Sequence, residues 1–157
     1  MNLERALETM AEGIFLIYLG WCSLQDFKEM QVIRYTHILA GVSLFVLAAS
    51  KQSICKEELF IYGCAIGFLA LLQGAAYAWK LYGVADMFVF TGCGIYFMLS
   101  EGVSEGMLAY AILQAVSGAV LFVVQLMKKN IKGLYLARPV AYIPYISVAF
   151  ILTKVVI

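Results

Sequence analysis

The chain has 157 residues, 64% of them hydrophobic and 13% charged, with a formal net charge of +1. Ordinary soluble domains are about 45–50% apolar with glycine counted and about 25% charged, so a water-soluble fold would lack the polar surface to cover itself. The composition predicts an all-α membrane protein, about six transmembrane helices in one compact bundle forming a single domain over residues 1–157, and it gives no reason to expect a nucleic-acid partner.

A helix needs about 20 apolar residues to cross a bilayer. The first run, Ala6–Gln25, has an apolar centre that suits a signal peptide. Its leading segment carries Glu4, Glu8 and Glu12 against Arg5, and no small-residue cleavage site follows, so it is expected to stay as a first helix. The second run, Tyr35–Ser50, is short and holds the single histidine, His37, which is expected to be a hydrogen-bonded structural residue. The third, Leu59–Trp79, is free of charge and contains Gly63-x-x-x-Gly67, read as intramolecular helix packing. The fourth, Val84–Ser100, is again short, and the fifth, Gly106–Met127, is long and uncharged. The sixth, Val140–Ile157, contains Pro144 and follows Pro139, so a kink is expected within it. Gln73, Gln114 and Gln125 are polar positions within spans and are expected to link helices. Cys22, Cys55, Cys64 and Cys93 form no CxxC and read as small hydrophobes, not as a disulfide or metal framework.

With six spans, the first, third and fifth connections carry Lys28, Arg34, Lys80, Lys128, Lys129, Lys132 and Arg138, against Arg5, Lys51, Lys56 and Lys154 on the other side. The excess of basic residues puts the first group of loops in the cytosol. Trp21, Tyr35, Trp79, Tyr82, Tyr142 and Tyr145 cluster at the same ends, where amphipathic rings favour the headgroup layer.

Only two aspartates occur, Asp26 and Asp86. Asp26 ends the first run and Asp86 opens the fourth, so chain parity puts both at one face, whichever way the protein is inserted. A carboxylate at a membrane boundary is costly to keep dry, and a matched pair asks for a chemical reason. Taken singly, each is also explained as a solvated loop acid or a helix cap. The surrounding segments read Gln25-Asp26-Phe27-Lys28-Glu29-Met30-Gln31-Val32-Ile33 and Lys80-Leu81-Tyr82-Gly83-Val84-Ala85-Asp86-Met87-Phe88.

In span order and in these segments, over nearly its whole length, the chain resembles the type IV prepilin peptidases and archaeal preflagellin peptidases, membrane aspartyl proteases of the GxGD group. In that family one catalytic Asp ends the first core helix, followed by an Ile-Pro-like pair, and the second lies in a GxGD or GxAD motif opening the fourth. Asp26 matches the first position and Val32-Ile33 stand at the pair. Gly83-Val84-Ala85-Asp86 matches the second motif. Arg138-Pro139-Val140-Ala141-Tyr142-Ile143-Pro144-Tyr145 resembles the family's proline-containing last helix. The pair lacks its proline, the second motif glycine is Ala85, and Phe88 stands where a lysine often follows the second Asp. The chain thus looks like a divergent, short member, without the extra cytosolic segment linked to methylation in larger relatives.

The resemblance implies an aspartic-type endopeptidase of the bacterial or archaeal cell membrane, with its active site facing the cytosol. Asp26 and Asp86 would form the catalytic dyad, with Gly83, Ala85, Pro139 and Pro144 shaping the cleft. The pair would hold one proton, the ionised member activating water and the protonated one donating to the scissile carbonyl. No cofactor or metal is expected, and the partner would be a pilin-like precursor, a short basic leader followed by an apolar helix. Two other readings stay open: a scaffold that keeps the fold without cleaving, and a small ion- or proton-coupled transporter. The transporter reading requires a polar path at mid-membrane and commonly an internal repeat, neither visible in the sequence.

Overall fold

The computed structural model describes residues 3–51, 56–81, 83–132 and 141–157. Helices are the only regular structure among them. In chain order they are α1 (Leu3–Glu29), a 3₁₀ turn (Arg34–Thr36), α2 (His37–Ser50), α3 (Lys56–Ala78), α4 (Val84–Glu101), α5 (Val103–Lys132) and α6 (Ile143–Val156). Four are long and apolar enough to cross a membrane, namely α1, α3, α4 and the Val103–Val124 part of α5. Large apolar side chains face outward along them and along α2, among them Phe45, Phe60 and Leu71. In a soluble protein such surface would aggregate, whereas hydrocarbon chains solvate it. The molecule is a helical membrane protein.

Two lengths differ from those the hydropathy runs predict. The fourth helix, expected to be short, has 18 residues and qualifies as a span. The sixth begins at Ile143 and has 14 residues, as does α2. Each of these two is about 21 Å long, against a hydrocarbon core of about 30 Å. The late start of α6 has a local cause. Pro144 lies in its first turn, where a missing N–H removes no helical bond and the fixed φ favours initiation. The kink expected of Pro144 in a helix interior therefore has no reason to form. Pro139, like Cys55 and Tyr82, lies outside the described residues, as does the side chain of Gln125.

The helix ends follow from capping chemistry. α1 carries Glu4 in its first turn and Lys28 in its last, each complementing the helix dipole. It stops where Met30 turns left-handed at φ 56°. Similarly, α3 closes with Lys80 at φ 58°, while the Leu81 N–H donates to the Ala76 carbonyl and the Lys80 N–H to that of Tyr77. That pairing satisfies carbonyls otherwise stranded at a helix end. Between α4 and α5 the single residue Gly102, at φ 91°, reverses the chain. The two helices then lie so close that a Cβ on Gly106 would strike the backbone of Phe97 and Met98.

The core is built by α1, α4 and α6, around Phe15, Tyr18, Tyr96, Phe97 and Phe150. The Phe15 ring stacks on Tyr96 at 4.7 Å and meets Phe150 at 5.3 Å. α2 packs on α1 and α4, and α5 on α4 and α6. α3 is the most peripheral of the long helices. It is tied in through buried Leu69 and through Gln73, whose amide donates to the Tyr110 hydroxyl of α5. The helix-linking role expected of Gln73 is what the structure has, whereas Gln114 bonds Tyr110 within its own helix. The packing role expected of Gly63 and Gly67 is not found, because both are exposed and a Cβ at either would meet nothing within 4 Å. A close-packing motif works only if a helix faces it, and α4 and α5 contact the opposite side of α3.

Candidate functional site

The site lies where the end of α1 meets the beginnings of α4 and α6. Asp26 is in the last turn of α1 and is buried, only 8% exposed. Its Oδ2 accepts a hydrogen bond from the Ile143 N–H at 3.0 Å, and the Tyr142 N–H also points to the carboxylate. These are orphan donors of the α6 N-terminus, which carries the positive end of the helix dipole. An acid there stabilises α6 and has its own charge stabilised in return.

The neighbouring side chain does the same for α2. Gln25 Oε1 accepts from the Ile33 N–H at 3.2 Å and from Thr36 Oγ1 at 3.0 Å, fixing the 3₁₀ turn that leads into α2. Farther up α1, Ser23 and Ser147 share a hydrogen bond of 2.7 Å, and Tyr18 OH bonds His37 Nδ1 at 2.9 Å. His37 thus has the hydrogen-bonded structural setting expected of it. Its ring also packs on Phe88 at 5.1 Å.

Asp86 is half-buried at the third position of α4, and its Oδ2 accepts the Gly83 N–H at 2.9 Å. This is the carboxylate half of a capping box; Gly83 has no side chain to supply the other half. Gly83 itself is extended, at φ −80° and ψ 170°, a conformation open to any residue. What its missing side chain provides is space on the exposed approach to Asp86, where a Cβ would stand 3.4 Å from Asp86 Oδ2. Ala85 is half-buried and packs against the core.

The fold brings Asp26 and Asp86 to the same end of the molecule, close enough for each charge to act on the other. Gly83, Ala85 and Pro144 lie on the segments that open α4 and α6 beside them. Among the described residues no group of three His, Cys, Asp or Glu side chains is arranged to hold a metal ion.

Tyr142, expected from the sequence as one of the interfacial aromatics and as part of the proline-containing segment around Pro139 and Pro144, has a defined place at the site. It caps the start of α6, its ring meets Phe90 edge-on at 5.7 Å, and its hydroxyl reaches Ser117 Oγ of α5 at 3.3 Å. It also lies within electrostatic range of Asp86. The available signal was Tyr-Ile-Pro, which marks a helix start with free N–H groups. No protein-family model, curated protein or solved structure matches the chain.

Proposed function

We propose that this protein is a membrane aspartyl endopeptidase with Asp26 and Asp86 as its dyad, acting on pilin-like precursors at the cytosolic face of a six-span bundle. The observation that supports the reading is the meeting of the only two aspartates of a 157-residue membrane chain at one end of the molecule, on the ends of α1 and α4. In this reading the two carboxyls share one proton, and the ionised member takes a proton from water as it attacks the scissile carbonyl while the other donates to the carbonyl oxygen. The roles of the two members belong to the pair and not to either residue. Exposed Gly83 leaves an extended peptide room beside Asp86. The segmental resemblance to prepilin and preflagellin peptidases supplies the substrate class.

A second reading is favoured by a specific observation: each aspartate already has a structural task, Asp26 at the start of α6 and Asp86 at the start of α4. A scaffold that had lost cleavage would still keep both. The two readings separate on Asp26→Asn and Asp86→Asn. Asparagine retains an acceptor oxygen for the N–H groups but cannot exchange the proton. For an endopeptidase, each variant accumulates normally yet loses cleavage of a co-expressed pilin-like precursor by at least about a thousandfold, the scale on which removing a catalytic group acts. Near-normal cleavage in either variant would rule the dyad out. A wild-type protein that cleaves no precursor of this type would favour the scaffold.

A further inference from the structure

Three helices contribute to the site, yet the chemistry of the dyad uses side chains from α1 and α4 alone. What α6 adds is its first residues. The N–H of the peptide unit that joins Tyr142 to Ile143 holds the Asp26 carboxylate. The Tyr142 side chain leaves the same residue in another direction, meets Phe90 edge-on one turn beyond Asp86, and ends on Ser117 of α5. Ser117 is fully buried and is itself fixed by donating to the Gln114 carbonyl at 3.0 Å. A single residue therefore connects the helix end that carries Asp26, the first turns of the helix that carries Asp86, and a rigid anchor in a fourth helix. Residues of fixed rotamer that brace a reacting pair are what keeps its geometry within the few tenths of an ångström that proton sharing demands.

We propose that Tyr142 is the positioning residue of the pair, its main chain seating Asp26 and its phenol, anchored on Ser117, setting the spacing to Asp86. The proposal rests on the endopeptidase reading. A loosened brace misplaces one carboxyl relative to the other, so the loss falls on the chemical step and not on substrate binding.

The test uses the full chain, purified in lipid nanodiscs, with a pilin-like precursor (a short basic leader followed by an apolar helix) as the probe. Tyr142→Phe keeps the ring against Phe90 and removes only the hydroxyl, and Ser117→Ala removes its anchor. Each is expected to lower kcat roughly tenfold at unchanged KM, with the double variant no worse than either single one, as for residues acting as a unit. Ser117→Thr, which restores a hydroxyl, is expected to recover most of the loss. Wild-type kcat in Tyr142→Phe, a loss confined to KM, or full additivity in the double variant would overturn the proposal. Thermal melts identify any variant that fails to fold, and if Tyr142→Phe does so, the serine pair carries the test. Asp26→Asn in the same assay separates the two levels. If it abolishes cleavage while Tyr142→Phe is unaffected, only the positioning role is wrong; if it cleaves normally, the dyad and the positioning role fall together.

Discussion

Buried polar atoms are expensive unless paired, and among the described residues nearly all of them are paired. Ser43 donates to the Ala11 carbonyl at 2.6 Å, Ser50 to that of Leu47 at 2.7 Å, and Gln73 reaches Tyr110. Thr153 departs from this pattern. Its Oγ1 is buried with no hydrogen-bond partner among the described residues, on a residue only 1% exposed near the C-terminal end of the α6 face that packs on the core. A hydroxyl in that state keeps its desolvation cost without return, on the order of 1–3 kcal/mol. Valine has the same shape and no polar atom, and in a helix the two residues have similar propensity. Thr153→Val is accordingly expected to stabilise the protein by about 1 kcal/mol, read as a higher melting temperature in detergent or nanodiscs. An unchanged or lower melting temperature would mean that the hydroxyl is used, and would direct attention to the neighbouring Lys154, which bonds Glu12 at 2.5 Å and Tyr96 at 3.2 Å.

Between helices, glycines separate into those that carry a contact and those that do not. Gly106 lets the backbones of α4 and α5 touch, whereas Gly63 and Gly67 look out from α3 into open space. Gly106→Ala must push α5 away from Phe97 and Met98, against backbone that cannot rotate aside. It is expected to cost roughly 1–3 kcal/mol, the usual range for overpacking. Gly63→Ala and Gly67→Ala are expected to be neutral or slightly stabilising, because alanine is the better helix former by up to about 1 kcal/mol. Parallel thermal melts of the three variants decide this, and a large loss at Gly67 would show that another helix covers that face in the membrane. The contrast also indicates what a sequence can convey. The existence of every helix was legible, because apolar runs of span length leave little choice. The placement of Asp26 and Asp86 at one end of the molecule was legible in outline too, from counting crossings. Which face of α3 is used was not, since Gly63-x-x-x-Gly67 permits contact without requiring it. Nor was the start of α6: reading Val140 onward as one apolar run placed Pro144 in a helix interior, although proline favours the first turn. The bond from Ile143 to Asp26 joins residues from nearly opposite ends of the chain, and nothing local in either segment specifies it.

Across the whole molecule α1 acts as a spine that grips both short helices at both of their ends. At the aspartate end, Gln25 holds the turn into α2 and Asp26 holds the start of α6. About 27 Å away along the same helix, Glu8 pairs with Lys51 at 2.7 Å, just past the end of α2, and Glu12 pairs with Lys154 near the end of α6. Helices of about 21 Å are not held in place by bilayer thickness alone, and these four attachments compensate. The Lys51 clamp has a definite pH signature. The hydrogen bond that Lys51 donates to the Glu8 carboxylate holds its ammonium above the ordinary value of 10.5, more than partial burial lowers it. A base whose folded-state value is raised contributes its stability fully below the unfolded value and loses it as pH rises through the folded one. The clamp should therefore be intact at neutral pH and fail only above about 10.5. Both partners are about one-third exposed, so screening keeps the effect small, and high salt should weaken it further. Glu8→Gln is expected to lower the melting temperature slightly at pH 7 and to remove the extra loss that the wild type suffers between pH 10 and 12. The exchanged pair, Glu8→Lys with Lys51→Glu, is expected to recover most of the neutral-pH stability. If the exchanged pair is no more stable than Glu8→Gln, the far end of α2 is held by packing alone, and the spine grips that helix only where it begins, beside the aspartates.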